Sequence, residues 1–295
     1  MRLSIKSVLF GAVTLTAILV YTGCAKDEGV KPTGDSSLQP RGLINGSPQN
    51  TALYGLSANN EIVTLVSGPP ATIQTTNPIT GMLRDGETMK AIDNRRGTIY
   101  GISSESILYR IKPTGGSEPV TGTPLKPLLT GSVTAFDYNP SEDRIRIMTD
   151  GGQNLRVNPN NSLVTTVDPA IPPPTVFNSI AYTQPSGFVS TSILYEIDAT
   201  NGLLWKQGKP ATGIIEYVAP LQVVWYGEGG FDLTSNNIAW TVQYGHCPNP
   251  KFPGTVVPGD DITQDAYRLY TFNLKTGGAV SYGRLATPLI GITAQ

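Results

Sequence analysis

A short string of residues recurs along the chain at nearly regular intervals, and this repeat limits the possible folds more than any other feature. Each copy contains a small residue, then an apolar residue, then Asp or Thr. The five copies are Ala91-Ile92-Asp93, Ala135-Phe136-Asp137, Ala181-Tyr182-Thr183, Gly230-Phe231-Asp232 and Gly291-Ile292-Thr293. Successive copies begin 44, 46, 49 and 61 residues apart. A period of roughly 40–50 residues is typical of the blades of a β-propeller.

Each of the first four copies is followed by segments that predict three further strands. These segments are short, rich in β-branched and aromatic residues, and separated by turns that contain Gly, Pro or Asn. After the second copy, which belongs to the third predicted blade counted from the N-terminus, the strands are predicted at residues 145–148, 154–158 and 162–167. Four short strands per repeat indicate that each blade is a four-stranded antiparallel sheet.

The fifth copy of the string lies close to the C-terminus, and its missing continuation is found near the N-terminus. Residues 53–57, 61–66 and 71–76 read as three strands that lack a first strand of their own. We therefore predict that the C-terminal strand completes the blade that these segments begin, which removes the free edges of an open ring. The predicted fold is all-β, a five-bladed propeller over residues 51–295. An irregular β-sandwich and an open β-solenoid are the alternatives.

Several motifs in the blade region resemble a known family of secreted bacterial proteins. They are Leu53-Tyr54-Gly55-Leu56, Ile99-Tyr100-Gly101-Ile102, Ala135-Phe136-Asp137-Tyr138-Asn139-Pro140 and, most specifically, DRIRIMTDGGQNLRVNP from Asp143 to Pro159. In this order they resemble the domain-of-unknown-function family 4394, over roughly residues 51–295. The resemblance implies a propeller-like repeat fold. It supplies no activity and no assigned site residue.

The first 23 residues have the composition of a cleavable export signal. Two basic residues precede an apolar run over residues 8–21, which is shorter than the roughly 20 residues that a membrane-spanning helix needs. Small residues directly before Cys24 resemble a bacterial lipobox, although Tyr21 stands where an aliphatic residue is usual. An ordinary secretory signal followed by an incidental cysteine is the alternative.

Cys24 is the expected site of lipidation, and the lipid would anchor the mature chain to a membrane. The next residues, Ala25-Lys26-Asp27-Glu28, resemble the short Lys-then-acidic signal that sends lipoproteins of the Bacteroidetes to the cell surface. Residues 24–50 are rich in Gly, Pro, Ser and Asn and poor in apolar residues, which predicts a flexible tether. We therefore expect an outer-membrane lipoprotein that is exposed on the cell surface.

The composition favours an extracellular β domain and argues against several functions. Only 15% of the residues are charged and the formal net charge is −1, so the chain lacks the basic stripe of a nucleic-acid-binding protein. The single histidine, His246, lies beside Cys247 in a segment from Gly245 to Ala266 that we predict to be one long loop. One His and one thiol are too few for a zinc site or a catalytic triad. No metal and no cofactor is therefore predicted.

Three aspartates, Asp93, Asp137 and Asp232, form the first group of candidate ligand-binding residues. Each ends the first strand of a predicted blade, and these strands are expected to surround the central channel. Carboxylates gathered there could hold Ca²⁺, which takes about six to eight oxygen ligands. The preferred interpretation is that each aspartate accepts hydrogen bonds from the turn that follows it. Thr183 and Thr293 replace Asp in the other two blades and are poor metal ligands.

An unusually polar hairpin in the third predicted blade, at residues 143–158, supplies the second group of candidate ligand-binding residues. Its members are Arg144, Arg146, Asp150, Gln153, Asn154 and Arg156. The alternation of side chains along a strand places Arg144 and Arg146 on one face, where we expect them to pair with carboxylates of the adjacent blade. Binding of an acidic ligand is the alternative use of these arginines. Gln153 and Asn154 at the predicted tip could bind a sugar or a peptide by hydrogen bonds.

The sequence favours binding over catalysis, because it contains no recognisable set of nucleophile, base and orienting group. We expect a lipid-anchored surface propeller that binds a protein or a glycan, or acts as a scaffold, without turnover. The alternative is a glycoside hydrolase or lyase, an analogy at the level of the fold alone. Such an enzyme needs two carboxylates about 5–5.5 Å or about 6.5–9.5 Å apart in one cleft. The candidate carboxylates are Glu87, Asp93, Asp137, Glu228 and Asp232.

Overall fold

A computed structural model describes most of the chain from residue 51 onward. The described residues are 51–171, 177–185, 191–247 and 259–294. They form five antiparallel sheets of four strands each, arranged in a ring as the blades of a propeller. The predicted signal peptide, the tether and Cys24 lie outside these residues. The described part of the chain contains no helix with the length and apolar character needed to cross a bilayer.

Blades 2, 3 and 4 each consist of four consecutive strands. Blade 2 contains β4 (Met89–Arg95), β5 (Thr98–Ser103), β6 (Leu108–Ile111) and β7 (Ser117–Pro119). Blade 3 contains β8 (Val133–Asn139), β9 (Arg144–Thr149), β10 (Asn154–Val157) and β11 (Val164–Val167). Blade 4 contains β12 (Ser179–Tyr182), β13 (Leu194–Asp198), β14 (Leu203–Gln207) and β15 (Glu216–Pro220), with a 3₁₀ turn at Pro210–Thr212 before its last strand.

Blade 5 is also consecutive, whereas blade 1 joins the two ends of the described chain. Blade 5 contains β16 (Val224–Leu233), β17 (Ala239–His246), β18 (Ala266–Phe272) and β19 (Ala279–Arg284). Blade 1 contains β1 (Ala52–Ser57), β2 (Glu61–Val66), β3 (Thr72–Pro78) and β20 (Leu289–Ala294). The predicted closure is confirmed, because β20 pairs antiparallel with β1 and is the innermost strand of blade 1.

The repeated string lies in the innermost strands β20, β4, β8, β12 and β16, which surround the channel, and its small residue is required by close packing in blade 5. At Gly230 of β16, an added Cβ would lie 2.3 Å from the backbone nitrogen of Ile292 in β20. A side chain at this position would push the two strands apart. At Gly291 of β20 the nearest atom would be 3.4 Å away, which is an ordinary contact, so the requirement for glycine is specific to blade 5.

The hydrophobic core is divided into five clusters, and each cluster lies between two neighbouring blades. Between blades 4 and 5, for example, Ile197 packs with Trp225 and Phe272, and the last two rings are stacked 5.6 Å apart. The middle strands of the blades are buried on both faces, which explains why they read as nearly continuous apolar runs. Burying one such side chain contributes about 1.5–3 kcal/mol. The blades are therefore held together mainly by apolar contacts between sheets.

Candidate functional site

The central channel has two different ends, which we name by their composition. The acidic end is where the innermost strands finish, and Asp93, Asp137 and Asp232 meet there. One carboxylate oxygen from each aspartate lies within 4.8 Å of those from the other two. All three side chains are buried, and they line a cavity of about 220 Å³ that also contacts Arg96, whose side chain is 69% exposed. The repeat brings the three carboxylates together by placing Asp at the same strand end in three blades.

At the acidic end, each aspartate accepts a backbone N–H from a strand of a different blade. The bonds are Tyr138 N to Asp93 Oδ2 at 2.7 Å, Tyr182 N to Asp137 Oδ2 at 2.7 Å, and Ala294 N to Asp232 Oδ2 at 2.6 Å. The predicted bonds from the following turn are found in part: Asp232 Oδ1 accepts the N–H of Leu233 at 2.5 Å, whereas the turn after Asp93 is capped by Asn94, whose Oδ1 accepts the N–H of Gly97 at 2.7 Å. The carboxylates therefore connect neighbouring blades.

Burial raises the pKa of all three aspartates, and repulsion by neighbouring carboxylates adds to the shift at Asp93 and Asp137. Burial, followed by the charge of Asp232, raises the pKa of Asp93 well above its ordinary value. Burial and the charges of the other two aspartates do the same for the pKa of Asp137. Burial raises the pKa of Asp232 to about 6, although hydrogen bonds from Ala294 and Thr293 oppose the shift. The cluster therefore binds protons more tightly than three isolated carboxylates would.

The position of Thr293 agrees with a proton held within the acidic end. Its Oγ1 lies 2.9 Å from Asp93 Oδ1 and 2.9 Å from Asp232 Oδ2. A hydroxyl has one hydrogen and can donate it to only one carboxylate. Both contacts are hydrogen bonds if one of the carboxyl groups is protonated and donates to Thr293. Thr183, at the corresponding position of blade 4, instead accepts the N–H of Ile193 within its own blade at 2.8 Å.

The acidic end is the place where the described residues could hold a metal ion, yet its oxygens already have structural uses. Ca²⁺ takes about six to eight oxygen ligands, and here the carboxylates accept N–H bonds that connect blades. The three carboxylates are also buried, and the cavity of about 220 Å³ that they line is smaller than the roughly 300–1,000 Å³ of typical ligand sites. The acidic end is therefore a poor fit for a sugar ring.

Glu87, one of the two glutamates of the candidate set, is separate from the aspartate cluster. Glu87 is buried and accepts hydrogen bonds from Ser103 Oγ at 2.5 Å, Tyr109 OH at 3.0 Å and the N–H of Arg84 at 3.1 Å. It therefore holds the segment that leads into β4. The side chain of Glu228 lies outside the described residues, although its backbone belongs to β16.

In the polar hairpin of blade 3, Arg146 is buried and fully engaged. Its Nη2 donates to Asp168 Oδ2 at 2.8 Å, its Nε donates to the hydroxyl of Tyr182 at 2.6 Å, and its Nη1 donates to Asn154 Oδ1. The expected pairing with a carboxylate of the adjacent blade was wrong, because Asp168 follows β11 of the same blade. The contact with the adjacent blade is made by the Tyr182 hydroxyl.

The remaining arginines of the hairpin also bond within blade 3. Arg156 donates to Asp168 Oδ1 at 2.9 Å, and Arg144 donates to the backbone oxygen of Asp143 at 2.8 Å. The ion pair that does join two blades is formed by Arg95 of blade 2 and Asp143, with two bonds of 2.8 Å. The Arg95 guanidinium lowers the pKa of Asp143 to about 2. The arginine-rich hairpin is therefore part of the framework.

The tip of the hairpin holds a neighbouring segment in place. Asp150 Oδ1 accepts the N–H of Ser132 at 2.7 Å, and Gln153 Oε1 accepts the N–H of Thr130 at 2.7 Å. The Gln153 amide also donates to the backbone oxygen of Leu128 at 2.9 Å, while Asn154 donates to Pro169. These polar groups thus position residues 128–132, part of which lines the opposite end of the channel.

The second end of the channel, which we call the open end, was not identified from the sequence. It is a cavity of about 610 Å³ at the start of the innermost strands, and all five blades contribute to its lining. The polar lining residues are Asn60, Thr88, Lys90, Ser103, Ser104, Ser132, Thr134, Asn178 and Ser179. Lys90 is the one charged side chain among the described lining residues, and the repeated strings supply an apolar floor that includes Phe136 and Phe231.

A weak signal for the open end is nevertheless present in the sequence. The residues directly before the five strings are Lys90, Thr134, Ile180, Gly229 and Ile290, so five blades carry four different residue types there. The strings themselves remain similar because they pack the ring. Variation beside a repeated framework is the pattern expected of a surface that contacts a ligand.

The predicted loop of blade 5 begins later than expected. Strand β17 continues through Gly245 and His246, and the N–H of Cys247 bonds to Ile262 at 2.8 Å. Cys247 is buried in the core between blades 4 and 5. Residues 248–258 lie outside the described residues. The returning part of the loop is held by Asp260, whose carboxylate bonds to the guanidinium groups of Arg268 and Arg284 at 2.8–3.0 Å.

The fold and the two channel ends define a five-bladed β-propeller with one end closed by carboxylates and one end open. A family model described as "Domain of unknown function (DUF4394)" matches residues 62–293, so the chain belongs to this family. The resemblance read from the sequence motifs is thereby confirmed. No curated protein matches the chain.

Solved structures similar to this chain have low sequence identity to it. A glutaminyl cyclase from Myxococcus xanthus is 16% identical, with a TM-score of 0.36 and coverage of 50% of this chain and 63% of that one. A protein of unknown function from Bacteroides thetaiotaomicron is 12% identical, with a TM-score of 0.44 and coverage of 80% and 58%. A catalytically inactive virginiamycin B lyase from Staphylococcus aureus, with quinupristin, is 12% identical, with a TM-score of 0.42 and coverage of 82% and 73%. The chain thus spans about three fifths of the length of the first two.

Proposed function

We propose that this protein is a lipid-anchored binding module of the cell surface, which holds a protein or glycan ligand at the open end of its channel without chemical turnover. The observation that carries the proposal is the open-end cavity of about 610 Å³. Its volume falls within the roughly 300–1,000 Å³ range of ligand sites, and its lining combines an apolar floor with convergent hydroxyl and amide groups.

Binding is favoured over catalysis by the positions of the four candidate carboxylates whose side chains the structure describes. The aspartates lie at the opposite end of the channel, where their oxygens accept backbone N–H groups, and Glu87 is used within blade 2. No carboxylate occurs among the described residues that line the open end. Hydroxyl and amide groups can orient a ligand by hydrogen bonds, whereas acid–base catalysis of hydrolysis needs groups that exchange protons.

Filling the open end tests this proposal. The full-length protein, purified in detergent, is screened against an array of oligosaccharides and peptides, and binding of each hit is measured by calorimetry. Thr134→Trp places a bulky ring in the lining of the cavity and is expected to weaken binding at least tenfold. Thr165→Trp, on the exposed outer strand of the same blade, is the matched control and should bind normally. Equal binding by both variants would contradict a site in the cavity.

The anchor is tested separately through Cys24. Cys24→Ala removes the thiol that would carry the lipid, so the variant should lose incorporation of a labelled fatty acid and leave the membrane fraction. Digestion of intact cells with a protease should release the domain of the unmodified protein. An unchanged membrane fraction with Cys24→Ala would exclude the lipid anchor without affecting the assignment of the binding cavity.

A further inference from the structure

A group of aromatic side chains stands at the open end on blade 5, and the family and the fold assign it no role. The group contains Tyr226 of β16, Tyr244 and His246 of β17, and Tyr267 of β18, and we call it the aromatic ridge. Ring centroids are 6.3 Å apart for Tyr226 and Tyr244, 5.0 Å for Tyr244 and Tyr267, and 6.0 Å for Tyr226 and His246. The rings therefore form one continuous surface.

The ridge exists because blade 5 extends beyond the other blades. Strand β16 has ten residues and β17 has eight, whereas the other innermost strands have four to seven. Tyr226 and Tyr244 are opposite one another in this extension, and Tyr267 is opposite Tyr244. Gly227, directly after Tyr226, lines the open-end cavity. The ridge therefore rises from the rim of the cavity.

The ridge is exposed on one side and firmly supported on the other. Tyr226 and Tyr244 are 47% and 36% exposed, although aromatic rings of this size usually bury most of their surface. Tyr267 packs against the apolar cluster between blades 5 and 1. The imidazole of His246 is fixed by Asp265, with Nδ1 2.7 Å from Oδ1. A rigid exposed aromatic surface loses little conformational entropy when it binds a ligand.

A second support lies beneath the ridge on the other face of the same sheet. Arg268, which lies between Tyr267 and Leu269 in the sequence, is fully buried. Its guanidinium bonds to the carboxylate of Asp260 at 2.9 and 3.0 Å. It also donates to the backbone oxygens of Gly245 at 3.1 Å and Gln264 at 2.8 Å. These bonds fix the ends of the strands that carry the ridge, so the spacing of the rings is set by the fold.

The chemistry of the open end indicates one class of ligand. Aromatic faces bind weakly polar C–H surfaces, and the neighbouring hydroxyl and amide groups bind ligand hydroxyls. A neutral saccharide has both features on every ring. An acidic ligand would be expected to meet arginine pairs, yet Lys90 is the one charged side chain in the described lining. A lipid chain would need a dry apolar cavity, which the serines, threonines and asparagines of this lining do not provide.

We infer that the aromatic ridge and the open-end cavity together form a binding site for a neutral oligosaccharide, whose sugar rings stack on Tyr226 and Tyr244 while a terminal sugar enters the cavity. This inference rests on the proposed binding function and specifies its ligand. Tyr226 and Tyr244 are the residues that contact the chain of sugars outside the cavity. Thr134, Asn178 and their neighbours provide hydrogen-bond partners inside it.

The test uses the full-length protein in detergent and four neutral probes: cellohexaose, xylohexaose, mannohexaose and maltohexaose. Tyr226→Ala and Tyr244→Ala should each weaken binding of the preferred probe about tenfold, because each removes a stacking face. Tyr226→Phe and Tyr244→Phe keep that face and should remain within about threefold of the unmodified protein. Tyr217→Ala, on the outer strand of blade 4, removes another exposed tyrosine and should have no effect on binding of the probe.

The outcomes separate this inference from the proposed function. Suppose that a neutral probe binds the unmodified protein, that Thr134→Trp abolishes this binding, and that neither alanine variant weakens it. The ridge then has no role and the inference is overturned, while the proposed binding cavity stands. If only a peptide or an acidic oligosaccharide binds in the cavity, the ligand class is wrong and the proposed function again stands. If no probe of any class binds at millimolar concentration, both fail. A folding defect is detected by comparing the thermal unfolding of each variant with that of Tyr217→Ala.

Discussion

The two ends of the central channel are built from the same five strands but differ in almost every physical property. At the acidic end, one residue type recurs in three blades, is buried, and is bonded to backbone groups of neighbouring blades. At the open end, the lining residues differ from blade to blade, and polar groups surround a cavity almost three times as large. Residues that recur between blades thus hold the ring together at one end, and the proposed binding surface lies at the other end, where the residues vary.

The comparison shows why clustered carboxylates with raised pKa values are not by themselves evidence of catalysis. Perturbed pKa values concentrate at active sites, but networks that hold a fold together perturb them as well. Here the same interaction is repeated in three blades with the same geometry, which is the mark of a structural role. At the open end the hydrogen bonds of the described lining residues differ from blade to blade: Ser103 donates to Glu87, whereas Asn178 accepts the N–H of Ala199.

Removing a carboxylate from the acidic end should give the largest effect on stability. Asp232→Ala deprives the buried N–H groups of Ala294 and Leu233 of their acceptor. Each stranded donor costs about 1–3 kcal/mol, so we expect the free energy of unfolding to fall by about 2–6 kcal/mol. Chemical denaturation at pH 5 measures the change. Asp85→Ala, at an exposed position, is the control, and equal stability of the two variants would refute the connecting role of Asp232.

A buried acid far from other carboxylates sharpens the comparison by isolating the effect of burial. Glu196 accepts a hydrogen bond from the Gln207 amide at 2.5 Å, while Glu196 Oε2 and Gln207 Oε1 have no hydrogen-bond partner. Burial raises the pKa of Glu196 to about 8. Because the folded-state pKa lies above the ordinary value of 4.5, stability is fully present below pH 4.5 and is lost as the pH rises through about 8.

The variant Glu196→Gln tests that loss. A glutamine resembles the protonated acid, so the variant should match the unmodified protein at pH 4 and exceed its stability by a few kcal/mol at pH 9. The measurement is the free energy of unfolding across this pH range. An unchanged pH dependence would mean that Glu196 is ionised in the folded protein at neutral pH.

Neutralising Asp137, one member of the acidic end, should also raise the stability at high pH, but by less than Glu196→Gln does. Asp137→Asn keeps an oxygen acceptor for the N–H of Tyr182 and removes one charge from the cluster. Burial and the neighbouring carboxylates raise the pKa of Asp137, so its contribution to stability declines as the pH rises. We expect the variant to be more stable than the unmodified protein at pH 8 but equal to it at pH 3. Asp137→Ala, which lacks the acceptor, should be less stable at both pH values.

The smallest effect on stability is expected at the open end. Ser132→Ala and Thr134→Val remove hydroxyl groups from the lining, and each should change the free energy of unfolding by less than about 0.5 kcal/mol. Both should weaken ligand binding measurably, because a hydrogen-bond partner is lost in the site. Thermal unfolding and calorimetric titration on the same samples separate the two effects. A large loss of stability with intact binding would reverse the roles assigned to the two ends.

The sequence predicted the strands well, because each strand depends on its own composition and turns. It placed the start of a long loop at Gly245, whereas β17 continues to His246. The extension was missed because Gly245 and the prolines that follow are typical of a loop. Apolar and aromatic side chains at Trp240, Val242 and Tyr244 alternate with small or polar residues, a strand pattern that was present but weak.

The partners of the polar residues could not be predicted in the same way. Tyr138 N and Asp93 are 45 residues apart in the chain, and nothing local distinguishes a bond across blades from a bond within the next turn. The same holds for Arg146, whose carboxylate partner proved to be Asp168 of its own blade. The cavity of the open end was missed, since its lining comes from five separate segments of different composition.

The sequence by itself determined the number of blades, the order of the strands and the closure of the ring, because the repeated string occurs once in the innermost strand of each blade. The tertiary structure alone decided which polar groups face one another, since hydrogen bonds between blades depend on the relative positions of distant segments. The aspartates became connectors because three strand ends converge on one axis. The open end became a cavity because five different strand beginnings surround the same axis without meeting.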